Sequence, residues 1–368
     1  TYSNGTLDLD HDLVIAANGT LSAPRGDLSL VRNFQNSGVY THNNGTFAAV
    51  AGDNTFINTT GTVDPVFYNV RLYAQQLRFY QSTTIERQLQ LDSTATHCYI
   101  WANKTLTMGT ATNPETGYPK LQNNLNTGDK QFWFYAGDGE TATLQGVLET
   151  HPIIYTNTNG SSIEWGYHAN GVAQIKNVDF QFDITTDTPT TNNIKLTGDC
   201  EFDNFTVSAG DKLDLNGQRA EFSGNLSNQS TGSGNGVDYD GMIYFTGSGR
   251  MDSDGASENL DKLTLVQQGT STSDADLASD GTIKTFFYNQ PSVTQKNHRG
   301  AIQTIIGCGT ATCGTSNSPD YTNLTVATGG TLDGSSSTLT CAGDFTTSGG
   351  LIGKSALTFD ETAQSNKV

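Results

Sequence analysis

Carboxylates have the best claim to chemistry in this chain. Asp238 with Asp240, Asp252 with Asp254, and Asp8 with Asp10 are each spaced i, i+2. In a strand that spacing puts both side chains on one face, where two carboxyls could converge. Carboxyls roughly 5 to 10 Å apart can serve as the acid and base, or acid and nucleophile, of glycoside hydrolysis. Against this, the chain holds 37 Asp and Glu, so close pairs arise readily, and a working site would add Arg, His or aromatic groups nearby. Solvated outward positions or turn residues are the simpler reading.

Metal and nucleophile chemistry have even less support. Asp252-Ser253-Asp254-Gly255 and Asp238-Tyr239-Asp240-Gly241 hint at calcium loops. The Glu at the twelfth position of such a loop is lacking, as is a calcium-binding nonapeptide run, so both read as Asp-Gly turns. The histidines, His11, His42, His97, His151, His168 and His298, show no HxH or HExxH spacing. No GxSxG and no phosphate-binding Gly-rich loop with its Lys-Ser/Thr tail occurs. The expectation is a protein without catalytic, cofactor-binding or metal residues, and not an enzyme.

Two aromatic groups could offer a sugar-stacking surface: Trp133 beside Phe132, Phe134 and Tyr135, and Trp165 beside Tyr167 and His168. Consecutive strand residues point to opposite faces, so half of each group must lie outside or under a neighbour. Core filling plus a loop or subunit contact is the favoured reading.

The five cysteines are Cys98, Cys200, Cys308, Cys313 and Cys341, an odd number that excludes a complete set of intrachain disulfides. Cys308 and Cys313 flank Gly309-Thr310-Ala311-Thr312, which reads as a turn whose ends could meet. The other three read as small buried hydrophobes on strands, and their wide spacing argues against zinc.

The elements that must position all of these are strands. A phrase returns along the chain, most clearly as Asn323-Leu324-Thr325-Val326-Ala327-Thr328-Gly329-Gly330-Thr331-Leu332-Asp333, and earlier from Asn204 to Asn216. Shorter copies lie at Leu13 to Leu21 and Tyr99 to Leu106. Each is an aliphatic strand, a turn and a second strand, a unit that cannot bury its faces alone. Such repeats mark a solenoid, here with coils of about 25 residues. Asn4-Gly5, Asn18-Gly19 and Asn44-Gly45 punctuate the first part as turns feeding a Thr; followed by Thr they also match glycosylation acceptors.

Leu72 to Leu91 contains helix formers, but Leu77, Phe79, Ile85, Leu89 and Leu91 recur at period two, which predicts strand. Gly109 to Gly128, with Pro114, Pro119 and Asn123-Asn124, reads as a long projecting loop, and Thr270 to Gly281 as a second polar loop. The expected fold is all-β, an elongated parallel β-helix or β-solenoid with irregular side loops. Residues 1–108 and 192–368 are expected to be solenoid repeats, with 109–191 a less regular β lobe or insertion continuing the stack. Ala356 to Asp360 reads as another strand with no cap after it, so more polypeptide or a partner is expected to cover that end.

With 19 basic residues against 37 acidic ones, the net charge is −18. That surface repels phosphate backbones, so nucleic acid is not an expected partner, and no run approaches the roughly 20 apolar residues of a membrane span.

The text Leu28 to Phe47, Phe67-Tyr68-Asn69-Val70 and Tyr321 to Val326 resembles a repeat of large β-solenoid proteins: the fibre and capsid-surface proteins of bacteriophage virions, and related bacterial surface adhesins. The resemblance covers about half of the chain and carries no catalytic residues to transfer. It implies a structural protein of a virus particle, found on the virion or at a cell surface. Its partners would be other structural proteins of the same assembly or further copies of itself, with cell-surface glycans a further candidate. An exported adhesin or filament module is the second reading, and a polysaccharide-active β-helix enzyme the third.

Overall fold

A computed structural model describes residues 4–50, 55–57, 60–73, 76–91, 97–109, 119–123, 131–136, 139–147, 152–157, 171–186, 193–230, 236–247, 249, 251–253, 262–267, 276–277, 285–295, 303–313, 320–321, 323–335, 339–352 and 357–359. Among them there is no helix, and parallel strands stack as a β-solenoid of about ten turns. The chain divides into two units, Thr1–Cys200 and Glu201–Val368.

In the first unit the period-two pattern becomes columns of inward side chains. Leu28, Phe47, Val70, Leu89, Leu121, Tyr155 and Phe180 lie in register on successive strands, and all seven are buried. A six-stranded sheet carries a second column, Leu13, Phe34, Ile57, Phe79, Ile100 and Phe134. A third runs through Leu106, Leu144, Ile175 and Leu196. Aromatic rings meet edge-on between columns: Phe34 lies 5.2 Å from Tyr40, 5.5 Å from Phe47 and 5.3 Å from Phe67, centroid to centroid. Edge-to-face packing suits the quadrupoles of these rings. Burial pushes the Tyr40 and Tyr155 hydroxyls above the ordinary tyrosine range, because an ionised phenolate would lose its hydration there.

Leu72 to Leu91 holds strands and no helix among its described residues: Leu72 ends Val66–Leu72, and Gln76–Phe79 and Thr83–Leu91 follow. The reading of Gly109 to Gly128 as a loop is corrected. Lys120–Asn123 is a strand within it, paired with Gln88 to Leu91 and with Ile154 to Asn157. Leu121 is buried and is the one apolar residue in the strand, too few to display a period. Asp276–Leu277, within the second expected loop, likewise pairs with Asp252 and Ser253. The rest of both segments lies outside the described residues, apart from the ends at 109, 119 and the described strands. Ladder partners here are far apart in sequence: Gln145 reaches back 38 residues to donate to Thr107 at 3.0 Å, and the Thr143 hydroxyl meets Gln174 31 residues on at 3.2 Å.

The recurring phrase acquires a mechanical meaning at the residue just before its first strand. Asp12, Asn204 and Asn323 each stand at a corner, just before the strands Leu13–Ile15, Phe205–Val207 and Leu324–Val326. The side-chain oxygen accepts the backbone N–H of the residue 21 positions on: Asn33 at 3.0 Å, Asn225 at 2.7 Å and Asp344 at 2.8 Å. The carbonyl of that same residue accepts the N–H following the corner, at 2.8 Å in all three places. One Asx side chain thus completes a two-bond clamp between consecutive coils.

After the three-residue strand comes a turn closed from Gly19 to Ala16, Asp211 to Ser208 and Gly330 to Ala327. Gly210 and Gly329 both take φ of 92° there, a conformation that glycine adopts without steric cost. Replacing Asn323 by Ala should remove the side-chain half of the clamp and cost about 1 kcal/mol, whereas Asn323→Asp should retain most of it, as Asp12 does at its own corner. Urea denaturation of the two variants checks this; equal losses would refute the clamp.

Candidate functional site

The structure distributes the sequence candidates rather than gathering them. Asp238 and Asp240 do share an outward face, flanking the buried Tyr239. Each carboxylate is matched by a lysine from a neighbouring coil: Lys212 lies 3.6 Å from Asp238 and Lys262 lies 3.2 Å from Asp240. These pairs are solvent-exposed and add little stability. The Asp240 N–H donates to Asp238 Oδ1 at 3.4 Å. Asp214, in register with Asp238, accepts from Asn216 N at 2.9 Å. Asp333 accepts from both the hydroxyl and the N–H of Ser335, and these bonds hold its carboxyl below the usual range. The repeated Asp at this place therefore shapes the turn that follows it, as an Asx turn does.

Asp8 and Asp10 are both exposed. Of the third pair, the Asp252 backbone lies in Met251–Ser253; its side chain and the whole of Asp254 lie outside the described residues. Among the described residues no three His, Cys, Asp or Glu side chains come together as metal ligands.

His42 sits in a cluster assembled from three coils. Its Nε2 is 3.5 Å from Glu86, its Nδ1 accepts the Asn44 N–H at 3.0 Å, and its ring stacks on Tyr68. Arg87 lies over the Tyr68 ring at 5.8 Å. The type I′ turn at Asn43 and Asn44, with φ of 49° and 62°, delivers the imidazole to this place. His151, His168, His298 and the group Trp165, Tyr167, His168 lie outside the described residues.

Cys98, Cys200 and Cys341 are buried free thiols on strands. Burial raises the Cys98 and Cys341 thiols above the ordinary range, which keeps them protonated and poorly nucleophilic. The turn expected between Cys308 and Cys313 is corrected: Gly309 to Thr312 is strand, paired residue for residue with Gly330 to Asp333. At strand rise the two Cα atoms stand about 16 Å apart, beyond the reach of a disulfide.

The aromatic expectation divides in an informative way. Phe132 and Phe134 are core residues, 5.6 Å apart between centroids; the side chain of Trp133 lies outside the described residues. Tyr135 faces outward, and its ring stacks on Trp101 at 4.2 Å with 18° between planes. Trp101 in turn packs on Tyr80 at 4.3 Å. These three partly exposed rings come from successive coils and form an outward column. Beside it the Arg78 guanidinium lies 5.2 Å from the centroid of the Tyr99 ring and bonds to Gln76 and to the Tyr80 hydroxyl. The two faces of Trp101 are taken up by Tyr80 and Tyr135, so the column presents edges and polar tips rather than a platform for stacked sugars. Tyr80 and Trp101 escaped the sequence reading because they are 21 and 34 residues from their ring partners; the only signal was their shared place after an inward Phe or Ile.

Compared with protein-family models, with curated proteins and with solved structures, the chain matches none. Fold and surface together define a class: a repeat-built parallel β-solenoid.

Proposed function

We propose that the chain is a structural protein of a virus particle, a β-solenoid fibre or surface-decoration component that catalyses no reaction. One observation carries this reading: the corner clamp at Asp12, Asn204 and Asn323, by which the recurring phrase ties one coil to the next at three corners. The repeat text resembles that of virion β-solenoids, and the lysine partners of Asp238 and Asp240 suit a structural surface. An exterior of net charge −18 limits side-by-side sticking where many copies crowd together.

Gold-labelled antibody raised against the chain, viewed by electron microscopy on source material, tests the assignment. Label on particles is the expected result. Label confined to cell envelopes would overturn it in favour of an exported adhesin. Depolymerisation of a polysaccharide, abolished by Asp238→Asn or Asp240→Asn, would overturn it in favour of an enzyme.

A further inference from the structure

The six-stranded sheet of the first unit stands apart electrostatically. Its strands are Leu13–Ile15, Phe34–Asn36, Thr55–Ile57, Gln76–Phe79, His97–Trp101 and Gln131–Tyr135. None of them contains an Asp or Glu, in a chain that has 37. At the ends of its last three strands stands the column Tyr80, Trp101, Tyr135 and, beside it, Arg78 over Tyr99. Past the corner, Lys104 Nζ lies 3.4 Å from Gln81 Oε1. Arg78 is the cation on this sheet and Lys104 the one just past its corner, whereas Arg71, Arg87 and Lys120 lie on strands of the large sheet, Val66–Leu72, Thr83–Leu91 and Lys120–Asn123.

We infer that this face binds a linear anionic polysaccharide, one bearing carboxylate or phosphate groups, laid along the column from coil to coil. Three features select that partner. Charge complementarity favours an anion here and disfavours it over the acidic remainder of the surface. Arg78 is held by its ring and its neighbours, so its guanidinium is oriented before a ligand arrives and little entropy is lost on binding. The column repeats once per coil, at a strand spacing of about 4.8 Å, close to the length of one sugar unit in an extended chain. A repeating polymer can therefore meet phenol hydroxyls, the indole edge and cations in turn. Recognition runs through hydrogen bonds and charge, because the ring faces already cover one another. The inference does not depend on whether the protein sits on a particle or a cell.

Binding of the full chain to immobilised polygalacturonate, phosphorylated dextran and unmodified dextran tests it. Retention on at least one of the two charged polymers, falling as salt rises and absent on plain dextran, is expected; the stronger of the two identifies the acid group. Arg78→Gln and Lys104→Gln should each weaken retention about tenfold, and Lys262→Gln, in the other unit, should leave it unchanged. Lys104→Gln alters an outer side chain only, so it keeps the test open should Arg78→Gln fold poorly. Equal retention by wild type and both variants, binding to plain dextran, or no binding at all would overturn the inference. A wild-type dimer dissolved by Arg78→Gln would also overturn it, showing instead a contact between copies.

Discussion

Replacing Phe34 by Ala is expected to destabilise the first unit by about 3–5 kcal/mol, the upper range for losing a buried aromatic ring. Phe34 is fully buried and occupies one tier of the six-strand column, with Leu13 before it and Ile57 after it. It also meets Tyr40, Phe47 and Phe67 at 5.2 to 5.5 Å. Removing the ring leaves a cavity that neighbours cannot easily fill, because each is held by its own strand pairing above and below. Coils of a solenoid contact mainly their neighbours, so the loss should concentrate in the first three coils. Amide hydrogen exchange read by mass spectrometry should show those coils opening first. A drop of under 1 kcal/mol in urea denaturation would mean that the column is loosely packed.

Gly38→Val is expected to cost about 2–3 kcal/mol through overpacking. A side chain on Gly38 would run into the carbonyl oxygens of Gly19 and Ala16, the turn of the preceding coil. Gly349 stands over Ala327 and Gly330 in the same manner, near the other end of the described chain. Backbone oxygens cannot move aside without breaking bonds such as Val39 N to Gly19 O at 2.9 Å. The strain should therefore separate two coils rather than displace a side chain. Gly349→Val should reproduce the loss in the second unit, and thermal melts of both variants measure it. Full stability in either variant would show that the stack tolerates a wider local spacing.

Inward positions were legible before any coordinates. Alternation at Leu77, Phe79, Ile85, Leu89 and Leu91 decided strand over helix, because in a strand only every second side chain can face a core. The recurring phrase with its Gly turn implied stacking, since one such unit cannot cover its own apolar face. Burial of Cys98, Cys200 and Cys341 was expected from the small apolar character of cysteine on a strand, and all three are buried.

What lies opposite what could not be read in this way. Register between coils depends on the number of residues each coil spends, 21 at the Asx corners but 31 or 38 in the middle of the first unit. No local pattern reports that number, so the column Tyr80, Trp101, Tyr135 and the lysine partners of Asp238 and Asp240 were invisible. Lys120–Asn123 was missed for a related reason: it is held in place by pairing on both sides, not by its own four residues. Short-range sequence decides which way a side chain points; only the closed stack decides which distant side chain it meets, because that contact is set by hydrogen bonding between coils.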